Sequence, residues 1–593
     1  MRGLTTGFLL AMVCAVLAVG ASAQSGVGPA CERPGAVSTV EEPADLRSEN
    51  GELRVELTFR SSVDAAGRTN FCYVDKDGRE APNLRLHPGD TLVLTLKNEA
   101  AAKTAKTVAP VISRMNHAAP GDVQSTATTS RSEDCAGGAM KGMAAGAAST
   151  NLHFHGITVP PVCHEDDVLH TMVLPGDAGF EYRFQIPKDE PPGLYWYHPH
   201  IHGSTKAQVM GGASGALIVE GIERANPELA GLPERVFVIR DQKLQNPDAA
   251  PSDVATGAIP PVVLDADGDV KNTGTGTGKP ALDLSLNYVP VPYPNYPPAV
   301  IAMKPGERQL WRVLNASAIT YLNLQIIFFG QGGAQAQAVG LVAVDGIPVG
   351  GQSSGRSSTI RQNHLGVPPG GRLEFMVTGP PEGVQASLVT RSVNTGPGGE
   401  NDPTRPLATI VAKANAAEPR SRLTDAPAPL PHGTLAWLGS VTPVRTRKLY
   451  FSEVLQDPHD PNSPTTFFLT VDGETPKAFD MSSDVPNIVT HQGDVEDWII
   501  ENRSQELHAF HIHQVHFLLL EFFGLAVNEQ ILRDTVNVPY WDGKSATYPR
   551  VKLRVDFRDP NAIGLFPYHC HLLEHEDSGM MGLIRVDPAT QAP

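Results

Sequence analysis

The tripeptide His569-Cys570-His571, with His575 and Met580 close behind it, is the part of the sequence best suited to metal chemistry. In an extended strand successive side chains point to opposite faces, so His569 and His571 face one way and Cys570 faces the other. Imidazoles and a thiolate, with a weak axial thioether, are the ligands of a copper electron-transfer site. One short strand is therefore predicted to bind two different metal centres.

Histidine doublets of the form His-x-His recur along the chain. The chain has 20 histidines in 593 residues. Chance would give about 0.7 such doublets, whereas five occur. Within a strand, a doublet places both imidazoles on one face, where they can bind one metal ion or two adjacent ones. A hydrogen-bonded core histidine explains any one of them but not the set. The doublets are His153/His155, His198/His200, His200/His202, His511/His513 and His569/His571.

The doublets lie toward the two ends of the chain. Those at 153/155 and 198/200 fall in a first predicted domain, and those at 511/513 and 569/571 fall in the last. Eight imidazoles from two domains are explained if these domains meet and enclose a multinuclear cluster. Between residues 235 and 430 the only histidine is His364, which predicts a middle domain that acts as a spacer without ligands.

The face of the strand reached by Cys570 has its own candidate ligands. His508 lies three positions before His511, an odd offset, so on a strand it faces away from the doublet and toward Cys570. With His575 and Met580 these residues supply the ligand set of a blue-copper centre. Zinc also binds histidine and cysteine, but it forms tetrahedral sites and needs neither the thioether nor a thiolate that connects to a second cluster.

The segments that must position these ligands are short and β-rich. The chain has 56 glycines and 51 prolines, and runs such as 91–96 and 180–186 are bounded by turn residues, a pattern typical of an all-β sandwich or barrel. A glycine followed by an acidic residue, with Asn nine positions after the glycine, occurs at Gly89, Gly306 and Gly493. This repeat indicates three related β domains. The alternative is a common turn-strand-turn signature that arose three times independently.

These patterns divide the chain into a leader and three tandem β domains. Segments around 223–234 and 413–434 are rich in Pro, Ala and Gly and are predicted to be linkers. An insertion of about residues 100–149 is predicted to be a surface loop of the first domain. A copper(I) site formed by its methionines is the alternative, because soft thioethers suit that ion. The methionines are Met115, Met140 and Met143. The predicted boundaries are 1–23 for the leader and 24–224, 225–430 and 431–593 for the domains.

The amino terminus has the three regions of a secretory signal peptide, with an apolar run over residues 8–19. We therefore expect an exported protein, periplasmic or secreted, that begins near Gln24 after cleavage. The run is too short to span a bilayer, and no other apolar segment of about 18 residues occurs, so no membrane span is expected. The net charge of −17 without a long basic run argues against nucleic acid and anionic membranes as partners.

Five cysteines remain after cleavage of the leader. If Cys570 binds metal, the other four can form two disulfides in an exported protein, with three possible connectivities. The sequence does not choose among these connectivities. The four cysteines are Cys31, Cys72, Cys135 and Cys163.

Four motifs resemble the copper motifs of the three-domain multicopper oxidases, the laccase-like family. The similarity covers most of the mature chain in order and spacing, and it implies three tandem cupredoxin-like β-sandwich or barrel domains. The sequence departs from the family pattern at Ala509, where Pro is usual. The motifs are Asn151-Leu-His-Phe-His-Gly156, Trp196-Tyr-His-Pro-His200, His508-Ala-Phe-His-Ile-His513 and His569-Cys-His-Leu-Leu-Glu-His575 with Met580.

The resemblance implies four copper ions, one of type 1, one of type 2 and two of type 3. Met581 is a rival to Met580 as axial ligand, but the five-residue step from His575 favours Met580. The implied type 1 ligands are His508, Cys570, His575 and Met580; the type 2 ligands are His153 and His511; the type 3 ligands are His155, His198, His200, His513, His569 and His571.

The resemblance also implies an oxidase that couples one-electron oxidation of a small phenol-type substrate to four-electron reduction of dioxygen to water, expected to act as a monomer. In this mechanism Cys570 passes electrons through the backbone to its two flanking histidines. Glu576, Asp166 and Asp167 occupy places similar to the acidic residues that relay protons in the family. Ordinary loop carboxylates are the alternative for each of them.

Two other functions stay open at this point. The first is a periplasmic oxidase of copper(I) or another metal that serves copper tolerance, although the chain has only 12 methionines and no methionine-rich helix. The second is a copper-binding cupredoxin protein without turnover, which the complete ligand set argues against. A two-domain nitrite reductase is disfavoured because it has no need of the type 3 doublets.

Overall fold

The computed structural model describes residues 31–101, 135, 148–250, 279–330, 333–350, 358–424, 435–457 and 464–589. Across these residues strands dominate, and six sheets form three pairs in chain order. The predicted all-β fold is therefore confirmed. The predicted leader and most of the predicted insertion, with its three methionines, lie outside the described residues, and the domain boundaries stay predictions.

The first pair of sheets is built from nine strands. They are β1 (Asp45–Arg47), β2 (Glu52–Val63), β3 (Thr69–Asp75), β4 (Asn83–Leu86), β5 (Thr91–Asn98), β6 (His153–His155), β7 (Phe180–Gln185), β8 (Gly193–His198) and β9 (Gly215–Val219). The sheet orders are β1-β4-β9-β8-β6 and β3-β2-β5-β7. Apolar side chains of both sheets, among them Leu57, Leu94 and Leu217, form one core. A short helix, α1 (Thr205–Met210), precedes β9.

The middle pair of sheets follows a second short helix, α2 (Ile222–Ala225). Its strands are β10 (Pro233–Gln242), β11 (Asp283–Leu286), β12 (Val289–Val291), β13 (Ala299–Met303), β14 (Arg308–Asn315), β15 (Leu322–Gly330), β16 (Gly333–Ala336), β17 (Val339–Val344), β18 (Ile347–Pro348), β19 (Ile360–Gln362), β20 (Leu365–Val367), β21 (Arg372–Thr378), β22 (Gln385–Thr390), β23 (Arg405–Ala412) and β24 (Ser421–Arg422). The sheet orders are β12-β11-β10-β14-β21-β17-β18 and β13-β23-β22-β15-β16, with β19, β20 and β24 paired to their sides.

The last pair of sheets carries most of the candidate ligands. Its strands are β25 (Arg445–Leu455), β26 (Thr465–Val471), β27 (Ile488–His491), β28 (Val495–Asn502), β29 (His508–Ile512), β30 (Phe517–Phe522), β31 (Leu525–Ala526), β32 (Leu532–Arg533), β33 (Thr535–Val538), β34 (Arg550–Asp556), β35 (Gly564–Cys570) and β36 (Met581–Asp587). The orders are β26-β25-β28-β34-β30-β31, with β32 beside β30, and β27-β36-β35-β29-β33. Helix α3 (Leu573–Asp577) lies between β35 and β36.

The three strands that carry the Gly-to-Asn repeat occupy equivalent places. Strands β5, β14 and β28 each pair in parallel with one neighbour (β2, β10 and β25) and antiparallel with the other (β7, β21 and β34). Each ends at a buried asparagine whose amide donates to two backbone carbonyls of the following segments, and so closes the turn after the strand. The asparagines are Asn98, Asn315 and Asn502.

The cysteines pair in one of the three connectivities left open by the sequence. Disulfides join Cys31 to Cys72 and Cys135 to Cys163, while Cys570 is free and buried. At the first predicted linker, Ile222 and Leu229 pack into a small apolar core with the middle sheets. No helix in the described ranges is long and apolar enough to cross a membrane.

Candidate metal centres

Two antiparallel strand pairs bring the histidine doublets together. In the first domain β6 pairs with β8, which sets His153 opposite His198. In the last domain β29 pairs with β35, which sets His511 opposite His569. Strand β6 contains both members of its doublet, whereas His200, His513 and His571 lie one or two residues beyond the ends of β8, β29 and β35. The rings of all four doublets gather in one place, as the two-residue period of extended chain predicts.

The doublets of the first and last domains meet face to face. The ring of His153 stacks on His513 with centroids 3.8 Å apart, and His155 stacks on His511 at 3.9 Å. We call the eight buried imidazoles the imidazole cluster. Their ring nitrogens form three groups in which the atoms lie within 4.8 Å of one another: His153, His155 and His511; His155, His198 and His571; His200, His513 and His569.

The hydrogen bonds of these rings leave nitrogen atoms free for metal ions. Nδ1 of His198, His511 and His569 is held by a backbone carbonyl. Nε2 of His153, His198 and His511 and Nδ1 of His155 are buried without a hydrogen-bond partner in the described part of the chain. Buried polar atoms are rarely left unpaired, and metal-bound imidazoles are oriented by hydrogen bonds to the other nitrogen. The cluster therefore fits bound metal ions.

Three rings also converge on one point. Nε2 of His569 lies 3.4 Å from Nε2 of His200 and 3.2 Å from Nε2 of His513. Burial brings the pKa of His569 to about 3. It also lowers the pKa of six further cluster imidazoles well below the ordinary value, and neighbouring rings add to the effect because two close imidazolium ions repel. These imidazoles are His155, His198, His200, His511, His513 and His571. They are neutral at neutral pH, as metal ligands must be.

The sulfur-side site, composed of His508, Cys570, His575 and Met580, lies on the other face of β35. Sγ of Cys570 is 3.5 Å from Nδ1 of His508 and 3.9 Å from Nδ1 of His575, and these two nitrogens are 3.2 Å apart. Helix α3 carries His575, whose ring stacks on Phe467 at 4.0 Å. Two imidazole nitrogens and a sulfur thus face one point, an arrangement that suits copper.

Cys570 and Met580 are both fully buried in one apolar core. Burial raises the pKa of the Cys570 thiol above its ordinary value, so a thiolate there requires a neighbouring cation such as copper. The carbonyl of Met580 accepts the amide of Cys570 at 3.1 Å, which fixes the two residues side by side. The axial role of Met580, rather than Met581, stays a prediction.

The structure separates the three carboxylates that were predicted as proton relays. Oε2 of Glu576 lies 3.3 Å from Nδ1 of His569, and neither oxygen of Glu576 has a hydrogen-bond partner within the described residues. Asp166 accepts from Nδ1 of His153 at 3.0 Å. Asp167 instead bonds His170 at 2.8 Å. Glu576 and Asp166 therefore touch the cluster, while Asp167 faces another histidine.

Several residues at the two sites were not predicted. Nε2 of His508 donates to Oγ of Ser504 at 2.7 Å, and a carboxylate oxygen of Glu506 lies 3.5 Å from Nε2 of His575. Oδ1 of Asp534 lies 3.2 Å from Nε2 of His155. Common polar residues without a metal-binding spacing gave no signal in the sequence.

The histidines without a predicted role lie outside the cluster. His202 packs against Phe479, and burial lowers its pKa to about 4. His516 has Nε2 3.8 Å from Asp534. The ring of His164 stacks on Phe180.

A cavity of about 110 Å³ lies where residues of all three domains meet, and the segment that directly follows His513 forms part of its wall. Gln514 and His516 line it together with Glu190 and other acidic residues. Nε2 of Gln514 donates to Asp166 at 2.5 Å. The side chain of Gln514 therefore lies between the cavity and Asp166, whose carboxylate contacts the cluster.

Comparison with known proteins identifies this arrangement. Two sequence models described as multicopper oxidase match residues 145–224 and 453–590, the segments that carry the copper motifs. A multicopper oxidase of Staphylococcus aureus is 24% identical over 446 residues, which is 74% of this chain and 77% of that protein. The chain belongs to the multicopper oxidase family. It is therefore a copper enzyme, and its two sites correspond to the type 1 and the type 2 and type 3 copper sites of that family.

Solved structures show the same cupredoxin-like fold. A multicopper oxidase from Campylobacter jejuni has a TM-score of 0.60 at 22% identity and covers 94% of this chain and 96% of its own. A multicopper oxidase from Aquifex aeolicus has a TM-score of 0.59 at 19% identity and covers 93% of this chain and 100% of its own. The three-domain fold predicted for the multicopper oxidase is thus confirmed.

Proposed function

We propose that this multicopper oxidase takes electrons one at a time from a phenol-type donor beside His575 and uses them at the imidazole cluster to reduce dioxygen to water. The observation that supports this proposal most directly is the position of Cys570. Its thiol faces the sulfur-side site, while His569 and His571, its covalent neighbours, face the cluster. The tripeptide His569-Cys570-His571 thus connects the two sites through covalent bonds alone.

Bound copper would supply the one-electron redox chemistry and the site for dioxygen. The protein holds the two copper sites dry and rigid, since the ligand side chains are almost fully buried. Glu576 and Asp166 stand beside cluster imidazoles, where each can hold a proton on its way to oxygen. The cavity lined by Gln514 and His516 offers a route for water to that side.

The donor is proposed to bind at the edge of His575. This residue is 5% exposed, whereas His508 and Cys570 are fully buried, so electrons can enter most directly through its ring. Phe467, stacked on that ring, offers an aromatic surface next to it. The carboxyl group of Glu506 beside Nε2 of His575 can accept a hydrogen bond from a phenol hydroxyl through its carbonyl oxygen. Among similar structures, a laccase-like oxidase from Ochrobactrum has activity toward lignin model compounds.

The test is oxygen uptake by the copper-loaded protein with a phenolic donor. We expect dioxygen consumption without release of peroxide, and about four copper ions per chain, as the ligand set implies. About one copper ion per chain, or no oxygen uptake with any donor class, would contradict the oxidase mechanism. The metal-free protein, reloaded with zinc instead of copper, serves as the control.

A second donor class, low-valent metal ions, is favoured by the charges around Glu506. Burial and the nearby carboxylates of Glu453, Glu400 and Glu574 raise the pKa of Glu506 to about 9. Crowded carboxylates of this kind are stabilised by a cation, and an acidic rim attracts cationic donors. The similar Campylobacter jejuni structure is of a metallo-oxidase.

The substitution Glu506→Gln separates these donor classes. Glutamine keeps a hydrogen-bond acceptor for a phenol but cannot lose a proton to form the carboxylate that a bound metal ion would stabilise. We expect kcat/KM for phenols to change by less than about threefold, while kcat/KM for iron(II) or copper(I) falls by about tenfold, equivalent to about 1.4 kcal/mol. Glu521→Gln, in β30 of the same domain, is the control. A tenfold loss for phenols alone would contradict the proposed contact.

An exported location is also part of the proposal. The predicted leader supports it, as do the two disulfides, because such bonds persist in oxidising compartments. Cell fractionation of the full-length chain tests it. Recovery of the uncleaved protein in the cytoplasm would contradict it.

A further inference from the structure

One side chain of the middle domain reaches the imidazole cluster. Arg372, at the start of β21, is fully buried. Its guanidinium donates to both carboxylate oxygens of Asp534, from Nη1 to Oδ1 at 2.8 Å and from Nη2 to Oδ2 at 2.6 Å. Such a two-pronged contact fixes the plane of the carboxylate as well as its position. The middle domain is therefore more than the ligand-free spacer predicted from the sequence.

The guanidinium is also bound to all three domains. Nη2 donates to the carbonyl of Asp345 at 3.0 Å and Nη1 to that of Gly370 at 3.2 Å, both in the middle domain. Nε donates to the carbonyl of Leu194 in the first domain at 3.3 Å. With Asp534 from the last domain, these contacts hold Arg372 at the junction of the three domains and leave its side chain little freedom.

Asp534 transmits this position to the cluster. Its Oδ1 lies 3.2 Å from Nε2 of His155, and its carbonyl accepts from Nδ1 of His511 at 2.9 Å. The contact with Asp534 orients the ring of His155 so that Nδ1, which has no other partner in the described ranges, points into the cluster. The orientation of one ring from each outer domain thus depends on the carboxylate that Arg372 holds.

The backbone at two glycines leaves room for Arg372 and Asp534 beside the cluster. Gly156, which directly follows His155, has a φ of +88°, and a Cβ there would lie 2.2 Å from Nη2 of Arg372 and 2.7 Å from Oδ2 of Asp534. Gly370 has a φ of +82°, and its Cβ would lie 2.7 Å from Nε2 of His571. Only glycine allows this close approach in that conformation. Two glycines therefore make room for contact between the middle domain and the cluster.

We propose that Arg372 is a positioning residue for the trinuclear copper site, which acts by holding Asp534 against His155 and His511. It does not touch substrate or metal. The proposal rests on the proposed copper sites, because it assigns Arg372 a role only if the imidazole cluster binds copper. Removal of the guanidinium leaves Asp534 as a buried carboxylate without its cation, which is strongly destabilising at that point, and frees the carboxylate to turn away from His155.

The test compares Arg372→Met with Arg312→Met in the copper-loaded full-length protein. Arg312 is a matched control, because it is also a fully buried arginine of the middle domain and pairs with Glu234 and Glu374. It forms no hydrogen bond with a predicted copper ligand among the described residues. We measure copper per chain, the blue absorption of the type 1 site, the electron paramagnetic resonance signal of the type 2 site and the thermal midpoint of the metal-free protein.

We expect both variants to lose thermal stability to a similar degree, but only Arg372→Met to lose the trinuclear copper. Its type 2 signal should fall to half or less at an unchanged type 1 absorption, and outer-sphere substitutions of this kind typically cost about 10- to 100-fold in metal affinity. Arg372→Lys should not restore the signal, since an ammonium cannot donate to both carboxylate oxygens in one plane. Asp534→Asn should reproduce the loss if Arg372→Met does not fold.

Two results would overturn the proposal. The first is a normal type 2 signal in Arg372→Met and Asp534→Asn. The second is an equal loss of type 1 and trinuclear copper in Arg372→Met and Arg312→Met, which would reduce Arg372 to a general stabilising residue. Failure of the proposed copper sites would look different, because the unmodified protein itself would then lack the type 2 signal.

Discussion

The sulfur-side site and the imidazole cluster differ in how much of the chain each requires. The sulfur-side site takes all its predicted ligands from residues 508–580, within one domain and around one strand pair. The imidazole cluster takes rings from residues 153–200 and 511–571, from two domains, and its orientation involves Arg372 of the third. One site is complete once a single domain folds, whereas the other exists only when the domains are docked.

The two sites should therefore differ in how strongly a substitution at the domain junction affects them. A domain core rigidly holds the sulfur-side ligands, because Cys570 and Met580 belong to the same packed cluster. The imidazole cluster depends on rings that stack across an interface, such as His155 on His511, and on carboxylates that orient them. Changes at the domain junction should therefore affect the cluster first and the sulfur-side site little.

The largest effect is expected from Cys570→Ser. A hydroxyl does not replace the thiolate as a soft copper ligand, so the blue absorption should vanish and donor oxidation should fall to the level of the metal-free protein. The type 2 signal should persist, because the cluster rings do not use the sulfur. Absorption and electron paramagnetic resonance of the loaded variant measure both. Loss of the type 2 signal as well would show that the two sites are not independent.

The sequence predicts the ligands of both sites because their types and offsets are rare. The odd offset of His508 placed it on the face of Cys570, and the structure brings the two within 3.5 Å. The three repeated asparagines predicted related strands, and each closes an equivalent turn. Period-two geometry within a strand is local, so a one-dimensional pattern is enough to derive it.

The supporting residues could not be predicted in the same way. Arg372 and Asp534 are 162 positions apart in sequence, and both are common residue types with no characteristic neighbours. Ser504 and Glu506 lie in a loop before β29, where a polar residue is the ordinary expectation. Only the docking of three domains determines which common polar residues face the cluster, and the choice between Asp166 and Asp167 required that same information.

The second prediction concerns pH and the metal-free protein. The folded-state pKa values of seven cluster imidazoles and of His508 and His575 lie below the ordinary value. The unfolded chain therefore takes up more protons below about pH 6.5, and stability that is present at neutral pH is lost as the pH falls, by about 1.4 kcal/mol per pH unit for each fully shifted histidine.

Because more of these rings lie at the domain interface, acid should loosen that interface first. We expect the thermal midpoint to fall between pH 7 and pH 5, and hydrogen exchange to rise in β6 and β8 before it rises in β25 and β26. The copper-loaded protein, whose rings are held neutral by the metal, is the control. A midpoint that stays constant over this range would contradict the prediction.

The third prediction separates two adjacent carboxylates at the cluster. Asp166 bonds His153, the amide of Phe154 and Gln514, whereas Asp167 bonds His170. We expect Asp166→Asn to weaken trinuclear copper binding by about 10- to 100-fold, as is usual for such supporting contacts, at an unchanged blue absorption. Asp167→Asn is the matched control and should bind copper normally. Equal effects of the two substitutions would remove the distinction drawn from the structure.

The smallest effect is expected from Ser504→Ala, which is the corresponding supporting contact at the sulfur-side site. The substitution removes the acceptor for Nε2 of His508, and one such hydrogen bond contributes about 1 kcal/mol, or about fivefold in copper affinity. The effect should stay small because the core around Cys570 still holds the ring of His508, which also packs against Phe451. Copper titration followed by the blue absorption measures it, with the type 2 signal as the internal control. A loss as large as that of Asp166→Asn would mean that the sulfur-side site depends on its supporting contacts as strongly as the cluster does.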